Sequence, residues 1–135
     1  MALLTRRPAV AALAAATIWS ADLISLGIKV AVDRPRPFIV EPEPTPLLLG
    51  VLGDSFPSGH AATSFAGALV LTRWLPGRWP VLFGLAVAIA YSRVYVGVHY
   101  PADVLGGAAL GLLVATALPR LVTALRPPRP APPPG

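Results

Sequence analysis

Residues 79–122 read WPVLFGLAVAIAYSRVYVGVHYPADVLGGAALGLLVATALPRLV, two apolar runs joined by a polar corner that holds Ser92, Arg93, His99 and Asp103. Each run, Trp79 to Val96 and Pro101 to Val122, has about the 17 to 25 residues of a membrane-spanning helix. Pro101 suits the first turn of the second run, where its missing N–H would be unpaired in any case. Two further runs of this kind lie upstream, Pro8 to Val32 and Ser58 to Leu75. Pro35 and Pro37 end the first of these, Pro57 precedes the second, and Pro76-Gly77 separates it from Trp79. The pattern predicts an all-α fold, a polytopic transmembrane helical bundle of about four spanning helices.

Composition points the same way. Of 135 residues, 55% are hydrophobic and 13% charged, and the mean hydropathy of +0.67 is outside the usual range of soluble globular domains. The formal charge of +5 does not mark a nucleic-acid partner, because the arginines stand at the ends of apolar runs and form no basic stripe with interleaved aromatics. The absence of cysteine excludes disulfides, thiolate metal sites and a cysteine nucleophile. Arg6-Arg7 ahead of the first run resembles a signal peptide, but the run continues to about Val32 with no convincing cleavage site and reads as a retained helix. Leu47 to Leu52 is too short to span and is assigned to the membrane interface. Residues 1–125 read as one membrane-embedded domain, and residues 126–135, RPPRPAPPPG, as a disordered Pro-rich tail.

Charge sets the expected topology. Four spans place Arg6, Arg7, Arg73, Arg78, Arg120, Arg126 and Arg129 on one side and Lys29, Arg34, Arg36 and Arg93 on the other. The arginine-rich side is then cytoplasmic, with both termini. The non-cytoplasmic face collects Asp33, Glu41, Glu43, Asp54 and Asp103 together with both histidines, His60 and His99. Ionisable residues are costly at membrane depth and usually mark function there.

Three patterns fill that face: Lys29-x6-Arg36-Pro37, Pro57-Ser58-Gly59-His60, and Ser92-Arg93-x5-His99-x3-Asp103. Lys29, Arg36 and Arg93 converge with a helix N-terminus at Ser58-Gly59, a combination that binds a phosphate. Gly59 lets an anion approach the backbone, and Ser58 can cap the helix or donate its hydroxyl to a phosphate oxygen. With Pro101 as the first helical residue, Asp103 can reach back toward the residues before it, and His99 lies within that reach. A carboxylate on one ring nitrogen leaves the other free to attack phosphorus, and His60 can protonate the departing oxygen.

Singly, these residues carry less. A Lys or Arg at a membrane edge is more often a snorkelling anchor than a ligand, and a lone histidine can be a packing residue; the joint arrangement favours a site. Ser92 can cap or pack. Asp22, two turns before Lys29, is expected to form a structural ion pair with it, and Arg34 to contact headgroups or the interface. Trp19, Trp74, Trp79, Tyr91 and Tyr95 read as interface or packing residues.

Complete and in order, the three patterns resemble the signature of the type 2 phosphatidic acid phosphatase (PAP2) superfamily, in its membrane lipid phosphatase branch. The resemblance implies metal-independent hydrolysis of a membrane lipid phosphate or diphosphate through a phosphohistidine. His99 would be the nucleophile, Asp103 its orienting partner, and His60 the general acid and then the base. Lys29, Arg36, Ser58, Gly59 and Arg93 would hold the phosphate, with no metal and no cofactor. Undecaprenyl diphosphate or another polyprenyl or glycerolipid phosphate, such as phosphatidic acid, would be the substrate. Membrane members commonly carry more helices ahead of the first pattern than this chain has room for. It is then a minimal form, or starts further upstream, or is completed by a second copy as a homodimer. Two other readings stand beside it: a non-catalytic or truncated relative serving as a binding or assembly subunit, and a vanadium haloperoxidase, against which the hydropathy argues.

Overall fold

A computed structural model describes residues 8–43, 45–48 and 50–124; the Pro-rich tail lies outside them. The helices are α1 (Pro8–Val32), α2 (Pro37–Val40), α3 (Gly59–Thr72), α4 (Trp79–Tyr95) and α5 (Pro101–Ala124). The four long ones coincide with the four apolar runs to within a few residues. The single turn α2 was not expected; Pro37 starts it, with its φ already set for a helix, and Arg36 at its N-cap. Leu47 to Leu52 forms no helix among its described residues.

Local chemistry sets the helix ends. Asp33 adopts a left-handed conformation, φ 49°, and its N–H closes onto the carbonyl of Lys29, which stops α1. Ser58 caps α3, its hydroxyl accepting from the N–H of Ala61. At the start of α5 the Asp103 carboxylate reaches back to the N–H of Tyr100, at 2.8 Å.

Packing is built on small residues. The buried core comprises Ala21, Ala62, Ala66, Val70, Val114 and Ala115, with Ala14, Leu69 and Leu110 against it. α3 lies in the middle, in contact with α1, α4 and α5. Gly107 and Gly111, one turn apart on α5, face it so closely that a methyl group on either would meet a backbone oxygen, of Ser58 at 2.3 Å and of Ala62 at 2.2 Å. This small-xxx-small stripe lets two helix backbones approach, the packing mode that suits an apolar solvent.

Two segments, Ala11–Val40 and Pro101–Thr123, are long and apolar enough to cross a membrane, and α4 is a shorter apolar helix. α3, at 14 residues, is shorter than the run that predicts it. Its first turn belongs to the polar site, which Ser58 closes. Apolar side chains point outward along the bundle, among them Trp19, Leu23, Val30, Val81, Leu85, Leu105 and Leu113. Outside a membrane such a surface would be exposed to water at a high cost.

Candidate active site

The C-terminal ends of α1 and α4 and the N-terminal ends of α3 and α5 meet at one end of the bundle, so residues from all three sequence patterns come together. Asp22, Lys29, Arg36, Gly59, His60, Thr63, Arg93, Val98 and His99, with Leu48 and Val51 at an apolar edge, line an open cavity of about 360 Å³. Six of the eight residues singled out for the site face this cavity. The other two, Ser58 and Asp103, are fully buried. The Ser58 hydroxyl caps α3, and its N–H donates to the carbonyl of Asp103 at 2.9 Å, which ties the second pattern to the third.

His99 sits in the turn between α4 and α5. Gly97, with φ 78°, allows that turn, and the N–H groups of Val98 and His99 both donate to the carbonyl of Arg93, at 3.2 Å. The ring is 5% exposed. Its Nδ1 is 3.5 Å from Oδ2 of Asp103, an ion-pair distance longer than an N–H···O hydrogen bond. Its Nε2 is 3.4 Å from Nη1 of Arg36, on the cavity side. Burial, and then the charges of Arg36 and Lys29, push its pKa down to about 4 against the opposing pull of Asp103. The imidazole is therefore neutral at pH 7, the form that carries a nucleophilic lone pair.

Asp103 has more partners than the sequence indicates. Arg34 donates to Oδ1 at 2.8 Å, and the hydroxyl of Ser55 and the N–H of Tyr100 donate to Oδ2. The Arg34 guanidinium also lies over the Tyr100 ring, 4.3 Å from its centroid. Arg34 is thus a partner of Asp103, a pairing the expectation of a headgroup or interface contact did not include. Its distance in sequence concealed this; Ser55, two positions before Pro57, carries no signal of its own.

Lys29 and Arg36 are anchored by backbone carbonyls. Lys29 Nζ donates to Asp54 at 2.6 Å. Arg36 donates to Gly53 and Val98 at 2.8 Å and to Leu52 at 3.2 Å, which pins the loop before α3 to the turn that carries His99. Arg93 Nε donates to the hydroxyl of Ser92 at 3.1 Å. The ion pair expected between Asp22 and Lys29 is absent; among the described residues the ion pair of two charged groups is Arg34 with Asp103. Lys29 is turned toward the loop carbonyls instead, and Asp22 toward the start of α3.

A mixed cation cluster, a capped helix N-terminus and two histidines lie on one cavity, the groups that binding a phosphate and moving its protons require. The PAP2 superfamily model matches residues 9–127. The chain belongs to the PAP2 superfamily. An undecaprenyl-diphosphatase of Sulfolobus acidocaldarius is 43% identical over 76 residues, 55% of this chain and 33% of that protein. The undecaprenyl-diphosphatase BcrC of Bacillus subtilis is 35% identical over 107 residues, 78% of this chain and 54% of its own. This PAP2 chain thus spans between a third and about half of the length of these curated relatives. The crystal structure of Aquifex aeolicus LpxE superposes with a TM-score of 0.73 at 31% identity, covering 87% of this chain and 72% of that one. The family and the apolar helices make this a membrane protein of the PAP2 lipid phosphatase branch.

Proposed function

We propose that this PAP2 chain hydrolyses a lipid phosphate or diphosphate through a phosphohistidine on His99. The observation that carries the reading is the placement of a buried, neutral His99, with Nε2 toward the cavity, beside His60 and three cations. Nε2 attacks the terminal phosphorus, the bond from that phosphorus to the oxygen of the departing lipid alcohol (or, in a diphosphate, of the departing lipid monophosphate) breaks, and His60 gives that oxygen its proton. Water then attacks the phosphohistidine, His60 takes the water's proton, the N–P bond breaks and phosphate leaves. Asp103 holds the far side of the His99 ring and offsets the charge that develops on it. Lys29, Arg36, Arg93 and the N–H groups at Gly59 stabilise the equatorial oxygens, the electrostatic role that metal ions fill in other phosphoryl transfers. Ser58 supports them by capping the helix.

A lipid substrate suits the shape of the cavity, charged inside and edged by Leu48 and Val51. The names of the relatives favour undecaprenyl diphosphate. The charge distribution favours a site on the non-cytoplasmic face, with both termini cytoplasmic. The chain has no cysteine, so single cysteines introduced at Leu52 and Gly77 can be labelled from either side to test this.

The deciding experiment is phosphate release by detergent-purified protein from undecaprenyl diphosphate, phosphatidic acid and phosphatidylglycerophosphate in EDTA, beside His99→Ala. Release from one lipid that is lost in the variant supports the reaction and selects the substrate. Activity that EDTA removes and a divalent ion restores would sink the metal-independent mechanism, and no release from any lipid favours a non-catalytic relative.

A further inference from the structure

Asp22 is the one carboxylate that lines the cavity among the described residues. An acid in a phosphate site repels the anion that Lys29, Arg36 and Arg93 attract, so its position there calls for a physical reason. It pairs with none of these cations. Its Oδ1 faces the backbone of Gly59: a methyl group built there would lie 3.4 Å from that oxygen and 3.6 Å from Oγ of Ser25. Ser25 is 1% exposed and its hydroxyl has no partner. Asp22, Ser25 and Lys29 recur at helical spacing, so a single polar stripe of α1 runs against the first turn of α3. His60 is the next residue on that turn.

We propose that Asp22 is a positioning residue for His60, its carboxylate favouring the imidazolium and turning the ring toward the oxygen that leaves. The inference rests on the reading of His60 as the acid. The charges that act on His60 are Arg93 from α4, Lys29 from α1, Arg36 from the start of α2, and Asp22, which is the only anion among them. His99, from the turn before α5, shares the cavity and is neutral. Burial first, and then three cations, disfavour a protonated ring, and without an opposing charge His60 would give up its proton before the leaving oxygen needed it. The same carboxylate stabilises the imidazolium that forms again when His60 takes the proton of water. Both half-reactions then pass through a charge state that Asp22 supports.

The test compares the purified full chain with Asp22→Asn and Asp22→Glu, on the lipid substrate and on p-nitrophenyl phosphate, whose leaving group departs without a proton. In Asp22→Asn, first-turnover cleavage of the lipid falls by about tenfold at pH 8, and the alkaline limb of its pH profile moves about one unit toward acid. First-turnover release of p-nitrophenol changes by less than about threefold, because that step does not use the acid. Asp22→Glu restores the limb. An equal loss on both substrates, or a limb that stays in place, overturns the proposal and leaves Asp22 a structural residue. Turnover by the unsubstituted protein with an unchanged Asp22→Asn overturns it alone, whereas no turnover by the unsubstituted protein overturns the proposed reaction as well.

Discussion

Arg34 donates to Oδ1 of Asp103 at 2.8 Å, a contact that closes the first sequence pattern onto the third across 69 positions of chain. The Arg34 side chain is 37% exposed and Asp103 is fully buried, so one half of the pair is solvated and the other depends on its partners. Arg34 supplies the charge that compensates the buried Asp103 carboxylate.

Arg34→Gln therefore acts on Asp103 before it acts on substrate. The loss of stability is about 1–2 kcal/mol, discounted for the exposure of Arg34, and kcat falls while KM for the lipid changes little. Thermal unfolding in detergent and steady-state kinetics check this. A rise in KM with kcat unchanged would instead identify Arg34 as a headgroup contact.

The low pKa of His99 sets the acid side of the pH profile. The ring is neutral above about 4 in the folded protein, so the acid limb of kcat/KM lies near pH 4 and not near the ordinary value of 6.5. The same shift affects stability. Below pH 6.5 the unfolded chain takes up the proton first, so stability is complete above that pH and declines as the pH falls toward 4. A melting temperature that rose over this interval would contradict the buried neutral imidazole.

Replacing Arg36 by Lys keeps the charge and removes the fork. One ammonium cannot serve the carbonyls of Gly53, Leu52 and Val98 together, so the loop before α3 separates from the His99 turn. The expected loss is on the order of 10²-fold in kcat/KM. Recovery to the unsubstituted rate would show that charge alone is what the site needs from Arg36.

Gly107→Ala tests the packing that assembles the site. Its methyl group would meet the carbonyl of Ser58, and a backbone atom yields only if α3 and α5 move apart. About 1–3 kcal/mol of stability is lost, and activity falls with it, because those two helices carry His60 and Asp103. Gly84→Ala on α4, which faces open space, is the control and leaves both unchanged.

Much of this protein is legible in one dimension. Apolar run length, Pro8, Pro37, Pro57 and Pro101, and the cap at Ser58 are local signals, and local signals determine where helices begin and end. The motif residues were legible for a related reason: a phosphate demands cations and N–H donors, a nucleophilic imidazole demands a carboxylate, and few residue types meet these needs. Spacing within each pattern then reflects one helix end or one turn. What each charge pairs with was not legible. Lys29 is turned to the loop carbonyls and away from Asp22, Asp103 takes Arg34 and Ser55 as partners, and Ser58 faces inward, because pairing depends on which helix ends meet and how closely. That closeness comes from Gly107 and Gly111, which bring α5 against α3 by what they lack. The sequence alone thus determined the helices and which residue types gather on the cavity. Only the tertiary structure decided the partners, since an ion pair at 2.8 Å requires that the backbones carrying it first come together.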